Sequence, residues 1–202
     1  MKKISSCLVL TISLLVAPAL LCAQSSPRSA ALDSLQKQIQ DMAAQEISSE
    51  ESKQLQEIFE SQKLLRDVYA KFYTFWNLHD FKKFQKTKQA QLSILLTLLN
   101  KYDLEPPVAP DSYGTFADSK HMELYTNFVK TGRLSLFEAL RSAATMEDLS
   151  IYSFFDCLHK ADNRDLRLIC RTMTETSRDN LQEIKELLAS YGEKLGGNIW
   201  MW

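Results

Sequence analysis

The sequence predicts an all-α protein, a four-helix bundle with a long crossing loop and one short extra helix. Three observations carry that expectation. Only 5 Gly and 5 Pro occur in 202 residues, too few breakers for a strand-and-turn fold. No stretch alternates as a half-buried strand would. Several stretches instead repeat apolar residues at alternating intervals of three and four, which lines one face of a helix. The clearest spans 81–102, where Phe81, Phe84, Leu95, Leu98 and Tyr102 share a face. Lys88 and Gln91 fill a gap one turn wide in that face. An unpaired ammonium buried in an apolar stripe is expensive, so Lys88 calls for a partner from another helix.

From the start of the chain, Lys2 and Lys3 precede an almost wholly apolar run at 7–21, and Leu21-Cys22-Ala23 follows. This pattern predicts a signal peptide over 1–23, cut after Ala23. A lipoprotein anchored at Cys22 is the alternative, and Leu21 is the wrong residue for it. No membrane span is expected once the signal is removed. Taking Lys2 and Lys3 from 24 basic residues leaves 22 against 25 acidic ones. With a pI near 6.3, nothing suggests nucleic acid as a partner. The expected location is periplasmic or secreted, where the remaining pair, Cys157 and Cys170, reads as a disulfide across the turn at 161–163.

Residues 24–47 read as a linker with a short helix marked by Leu32, Leu35, Ile39 and Met42. The bundle is expected over 48–195. Ser48 and Glu51 form a capping-box pattern, opening a helix to about Asn77 with Ile58, Leu65, Val68, Phe72 and Phe75 on one face. Ser61 falls on that face, Gln62 at its edge, and Glu60 points elsewhere. A short link at 77–80 makes the first two long helices antiparallel neighbours. Three prolines and a glycine in LEPPVAPDSYGTF (104–116) read as the crossing loop. A short helix over 118–131 is expected to turn Met122, Tyr125, Phe128 and Val129 inward and to end at Gly132. Ser135 with Glu138 opens the third long helix, striped by Leu136, Leu140, Ala143, Ile151, Phe154 and Leu158, with Glu147 on the same stripe. The fourth carries Leu166, Ile169, Met173, Ser177, Ile184, Leu187 and Tyr191, and Asn180 lies among them. The apolar tail 196–202 is expected to pack back on the body.

Each long helix thus carries a polar residue in an apolar stripe: Ser61 or Gln62, Lys88 with Gln91, Glu147, and Asn180. A four-helix bundle would bring them together in mid-core, where metal-binding bundles place carboxylates and histidines.

Further residues carry a family likeness: KLLRDVYAKFYTFWNL (63–78), LLNKYDLEPPV (98–108), Gly114-Thr115-Phe116, LY...G..SLFEAL (124–140) and ADNRDL (161–166). On these, the stretch 60–191 resembles the ferritin-like family catalogued as domain of unknown function 2202. The resemblance implies a ferritin-like bundle. The family's second helix carries Ser-Glu-Gln-x-His-Met, whose Glu and His resemble metal ligands. Here that place reads Thr87-Lys88-Gln89-Ala90-Gln91-Leu92. The family's run of three acids reads Glu60-Ser61-Gln62, its acidic pair survives as Glu147-Asp148, and its Asn-His-Leu reads Asp179-Asn180-Leu181. A di-metal site needs several carboxylates and commonly two histidines. The expectation is a bundle with no metal, in which Lys88 and Glu147 pair and Gln91 and Asn180 satisfy their remaining valences. The competing picture has Lys88 snorkelling to the surface.

The three histidines, His79, His121 and His159, lack ligand spacing. They are read as surface residues, with His121 and Glu123 the one pair weighed as ligands. No phosphate loop or Ser-His-Asp pattern is legible. Cys157 and Cys170 lack redox-motif spacing, and the aromatics at 69–76 read as core. The functional expectation is a non-enzymatic exported module that binds a protein partner or small ligand, or serves as a scaffold. The alternative is a divergent metal protein, an oxidase or a store of iron or manganese, built on Glu60, Glu147 and Asp148. A third reading is an oligomer formed through the tail or first helix.

Overall fold

The computed structural model describes residues 27–194, with side chains described from 30 to 192. The expected signal peptide and apolar tail lie outside the described residues. The described residues form six helices: α1 (Pro27–Asp41), α2 (Ser49–Trp76), α3 (His79–Lys101), α4 (Ser119–Gly132), α5 (Leu136–Lys160) and α6 (Arg164–Lys194). No strand occurs among the described residues.

Local chemistry sets the helix ends. Ser48 accepts from the Glu51 amide while the Glu51 carboxylate accepts from Ser48 N, satisfying two otherwise orphaned donors. Asn77 closes α2 in the left-handed conformation, φ 49°, which asparagine tolerates better than most residues. Ser135 caps α5. Asn163 Oδ1 accepts from the amides of Asp165 and Leu166 at the start of α6.

The four long helices form a closed ring in which α2 packs on α3 and α5, and α6 packs on α5 and α3. α1 covers the α3–α6 side and α4 covers the α2–α5 side. Two apolar clusters stack along the bundle axis. One joins Leu55 and Phe59 of α2, Leu95 and Leu98 of α3, Phe154 of α5 and Ile169 and Met173 of α6. The other joins Val68 and Phe72, Phe81 and Phe84, Leu140 and Ala143, and Ile184. The start of α2 therefore lies beside the end of α3, the end of α5 and the start of α6. The helices run α2 up, α3 down, α5 down, α6 up. The two like-directed helices α3 and α5 require the long crossing connection.

α4 differs from its expected register. Met122 is exposed, and His121, Tyr125 and Phe128 form the inward edge. α4 lies outside the ring and touches it along a narrow line, so a shift of one residue sends Met122 to solvent. Gly132 is a contact residue as well as a terminus, because a Cβ there would sit 2.2 Å from Phe72 Cε1. Cys157 and Cys170 are disulfide-bonded with Cα atoms 6.5 Å apart, tying α5 to α6.

Candidate functional site: a polar layer in the bundle core

Between the two apolar clusters every long helix places polar side chains. α2 supplies Gln62 and the hydroxyl of Tyr69, and α3 supplies Lys88 and Gln91. α5 supplies Glu147 and Ser150, and α6 supplies Ser177 and Asn180. All eight are buried, seven of them with no exposed surface at all. The placement follows from the helical period, because each interrupts its stripe in phase with the apolar residues on either side.

Lys88 and Glu147 lie at the centre. Lys88 Nζ donates to Glu147 Oε2 at 2.8 Å and to Ser177 Oγ at 3.2 Å. Glu147 Oε1 accepts from Tyr69 at 2.8 Å and from Asn180 Nδ2 at 2.9 Å. Both carboxylate oxygens are thus occupied by donors, the condition under which a buried carboxylate is tolerated. Burial, with the nearby Glu147 charge and the hydrogen bond to it, pushes the Tyr69 phenol well above its ordinary value of 10.0. Tyr69 therefore acts as a neutral donor.

Two expected members of this cluster are placed differently. Ser61 sits at the α2–α4 seam, where its Oγ lies 3.0 Å from His121 Nε2. Gln62 takes the inward position, because the buried line of α2 runs through Ile58, Gln62, Leu65, Tyr69 and Phe72. Gln91 is buried but makes no bond to the Lys88–Glu147 pair. Neither atom of its amide has a partner among the described residues, and Gln62 Oε1 has none either. Gln62 Nε2 approaches Ser150 Oγ at 3.5 Å. Tyr69 and Ser177, read in the sequence as plain core residues, supply the contacts expected of Gln91.

The carboxylates weighed as metal ligands do not converge. Glu60 is turned to the crossing loop, accepting from the amides of Ala117 and Asp118 and lying 3.3 Å from His121 Nδ1. Asp148 and Glu123 are exposed. Glu147 is held by an ammonium, a phenol and an amide. These surroundings do not fit a di-metal centre, since a cation already occupies the charge-balancing position. His121 is half-buried between Ser61 and Glu60, correcting the expectation of a surface histidine.

A second buried network lies on the outer face of α2 and was not legible as a unit. Asp67 accepts from Lys63 Nζ at 2.9 Å, from Arg66 Nε at 2.7 Å and from the backbone of Gly114 at 2.9 Å. Lys63 also donates to Thr115 O, and Arg66 to Pro110 O. With Glu60, these charges pin the crossing loop at four places. The signal for them is a run of charges at 60, 63 and 67, on one face of a helix opposite a proline-rich loop whose backbone cannot bond to itself.

Fold and site together define an all-α helical-bundle protein with a layer of polar side chains through its core. The chain belongs to the family described as uncharacterized protein domain DUF2202, which it matches over residues 51–196. It is similar to the uncharacterized protein MJ0754 of Methanocaldococcus jannaschii, 36% identical over 154 residues, 76% of this chain and 83% of that one. The crystal structure of that hypothetical protein aligns with a TM-score of 0.74, covering 75% of this chain and 87% of the other.

Proposed function

We propose that this protein is an exported, metal-free member of its family that serves as a binding or scaffold module, with an ion pair standing where related bundles would hold a metal. The single observation that carries this reading is the Lys88–Glu147 contact of 2.8 Å with both side chains fully out of solvent. A cation delivered by the chain itself leaves no charge for a bound metal to balance. The lysine-flanked apolar run at the N-terminus and the disulfide support export. Among the described residues no helix is long and apolar enough to cross a membrane.

The test is metal analysis of protein prepared with iron or manganese in excess. Far less than one metal per chain is the expected result. About two per chain, as in di-metal carboxylate bundles, would overturn the reading in favour of an oxidase or metal store.

A further inference from the structure

We propose that Lys88, Glu147 and Asn180 form a self-crosslinking site, at which the Lys88 amine condenses with the Asn180 side-chain amide and joins α3 to α6 through an isopeptide bond. Such a condensation needs an amine, an amide carbonyl and a proton-transfer group touching both. Glu147 lies between the other two, with Oε2 2.8 Å from Lys88 Nζ and Oε1 2.9 Å from Asn180 Nδ2. A carboxylate only accepts hydrogen bonds, so the Asn180 atom held by Glu147 is the nitrogen that must leave. All three side chains have zero exposure.

The chemistry balances without any further reactant. Glu147 takes a proton from the Lys88 ammonium that it touches. The free amine attacks Cγ of Asn180, forming the C–N bond and a tetrahedral centre. The Glu147 carboxylic acid returns its proton to Nδ2, the Cγ–Nδ2 bond breaks, and the released ammonia takes the proton lost by the new amide nitrogen and leaves as ammonium, with Glu147 again a carboxylate. Ser177 Oγ, 3.2 Å from Lys88 Nζ, holds the amine in place. Tyr69, donating to Glu147 Oε1, fixes the carboxyl. The apolar clusters on both sides exclude water that would solvate the reacting groups, and holding the amine and the amide against the same carboxylate lowers the entropic cost of bringing them together. The inference deepens the metal-free reading and rests on it: the ion pair is the reactant state, and a metal ligated by Glu147 would prevent the reaction.

Peptide mapping of the folded wild-type chain decides the matter. The purified protein is reduced, denatured and digested with trypsin, and its peptides are sequenced by mass spectrometry. The expected product is a branched species, residues 87–101 joined to 179–185, uncut at Lys88 and lighter than its two parts by one ammonia. Glu147→Gln is expected to abolish it. Asn180→Asp is expected to give the same branch with loss of water instead. Intact mass alone is insufficient, because a chain beginning at Gln24 would lose the same ammonia by cyclisation. Recovery of residues 89–101 and 179–185 only as separate peptides from folded wild-type protein would overturn the proposal. A chain that is both unlinked and metal-free would sink the crosslink alone and leave the proposed function standing. Two metals per chain would sink both.

Discussion

Lys88 Nζ and Glu147 Oε2 lie 2.8 Å apart, each with zero side-chain exposure, at the level where the two apolar clusters of the bundle meet. This relationship sets the energetics of the core. A buried pair gains little over an apolar pair, because desolvating two charges offsets their attraction, whereas a lone buried charge is costly. The expected order of stability follows. Lys88→Met and Glu147→Leu each leave one buried charge unpaired, and each should be about 3–5 kcal/mol less stable than the double variant. None of the three variants retains both the amine and the carboxyl that crosslinking requires, so the comparison among them reads the charge pair alone. Urea unfolding curves supply the measurement, and a double variant no better than the singles would contradict the arrangement.

The crossing loop depends on a second set of charges. Asp67 is the shared acceptor of Lys63, Arg66 and the Gly114 amide, and both cations have essentially no exposed surface. Asp67→Asn should therefore cost about 3–5 kcal/mol and free the loop. Limited proteolysis should then cut within 103–117 at enzyme concentrations that leave the wild type whole. Asp111→Asn, at an exposed loop position, should leave the digestion pattern unchanged.

Glu51 gives the fold an acid-sensitive contact. Burial acts to raise its carboxyl, but hydrogen bonds from Ser48, Asn163 and Asp162 outweigh it and hold the group below its ordinary 4.5. In the window between the two values the unfolded chain binds more protons than the folded one, so stability rises with pH there. The contribution is complete above about 4.5 and fades as pH falls through the folded value. Glu51→Gln should lower Tm at pH 7, and its deficit against the wild type should shrink as the pH is taken toward 3. A deficit constant across that range would show that the charge of Glu51 does not matter.

What could be read beforehand divides along physical lines. Lys88, Glu147 and Asn180 stood out because each breaks an apolar stripe in phase with it, and a polar residue in that position has few options other than the core. Tyr69 and Ser177 gave no such signal. A phenol or a small hydroxyl fits an apolar stripe without interrupting it, and its bonding atom is invisible until the neighbour it reaches is known. Lys63, Arg66 and Asp67 were hidden for the opposite reason, since charges on a helix are ordinarily solvated. Only the loop that folds over them, its backbone groups lacking partners of their own, makes them interior. His121 was missed because a helix outside the ring touches it along too narrow a line for spacing to fix its register, and Met122 competed for the same place.

Gln91 offers the last test, and its sign is opposite to that of the others. Its amide is fully buried, and neither its nitrogen nor its oxygen has a partner among the described residues. A buried polar group without a hydrogen bond costs about 1–3 kcal/mol. Leucine is close to glutamine in size, and Leu92 and Leu95 of the same helix are already buried in the adjoining cluster. Gln91→Leu should therefore stabilise the protein, with thermal melts giving a higher Tm and urea curves a gain of about 1–3 kcal/mol. Gln91→Ala separates the polar contribution from packing, since it removes the same amide but leaves a cavity and should fall below the leucine variant. A leucine variant less stable than the wild type would mean that the amide is bonded after all, and that the hydrogen-bonded network extends one turn further along α3 than the Lys88–Glu147 pair.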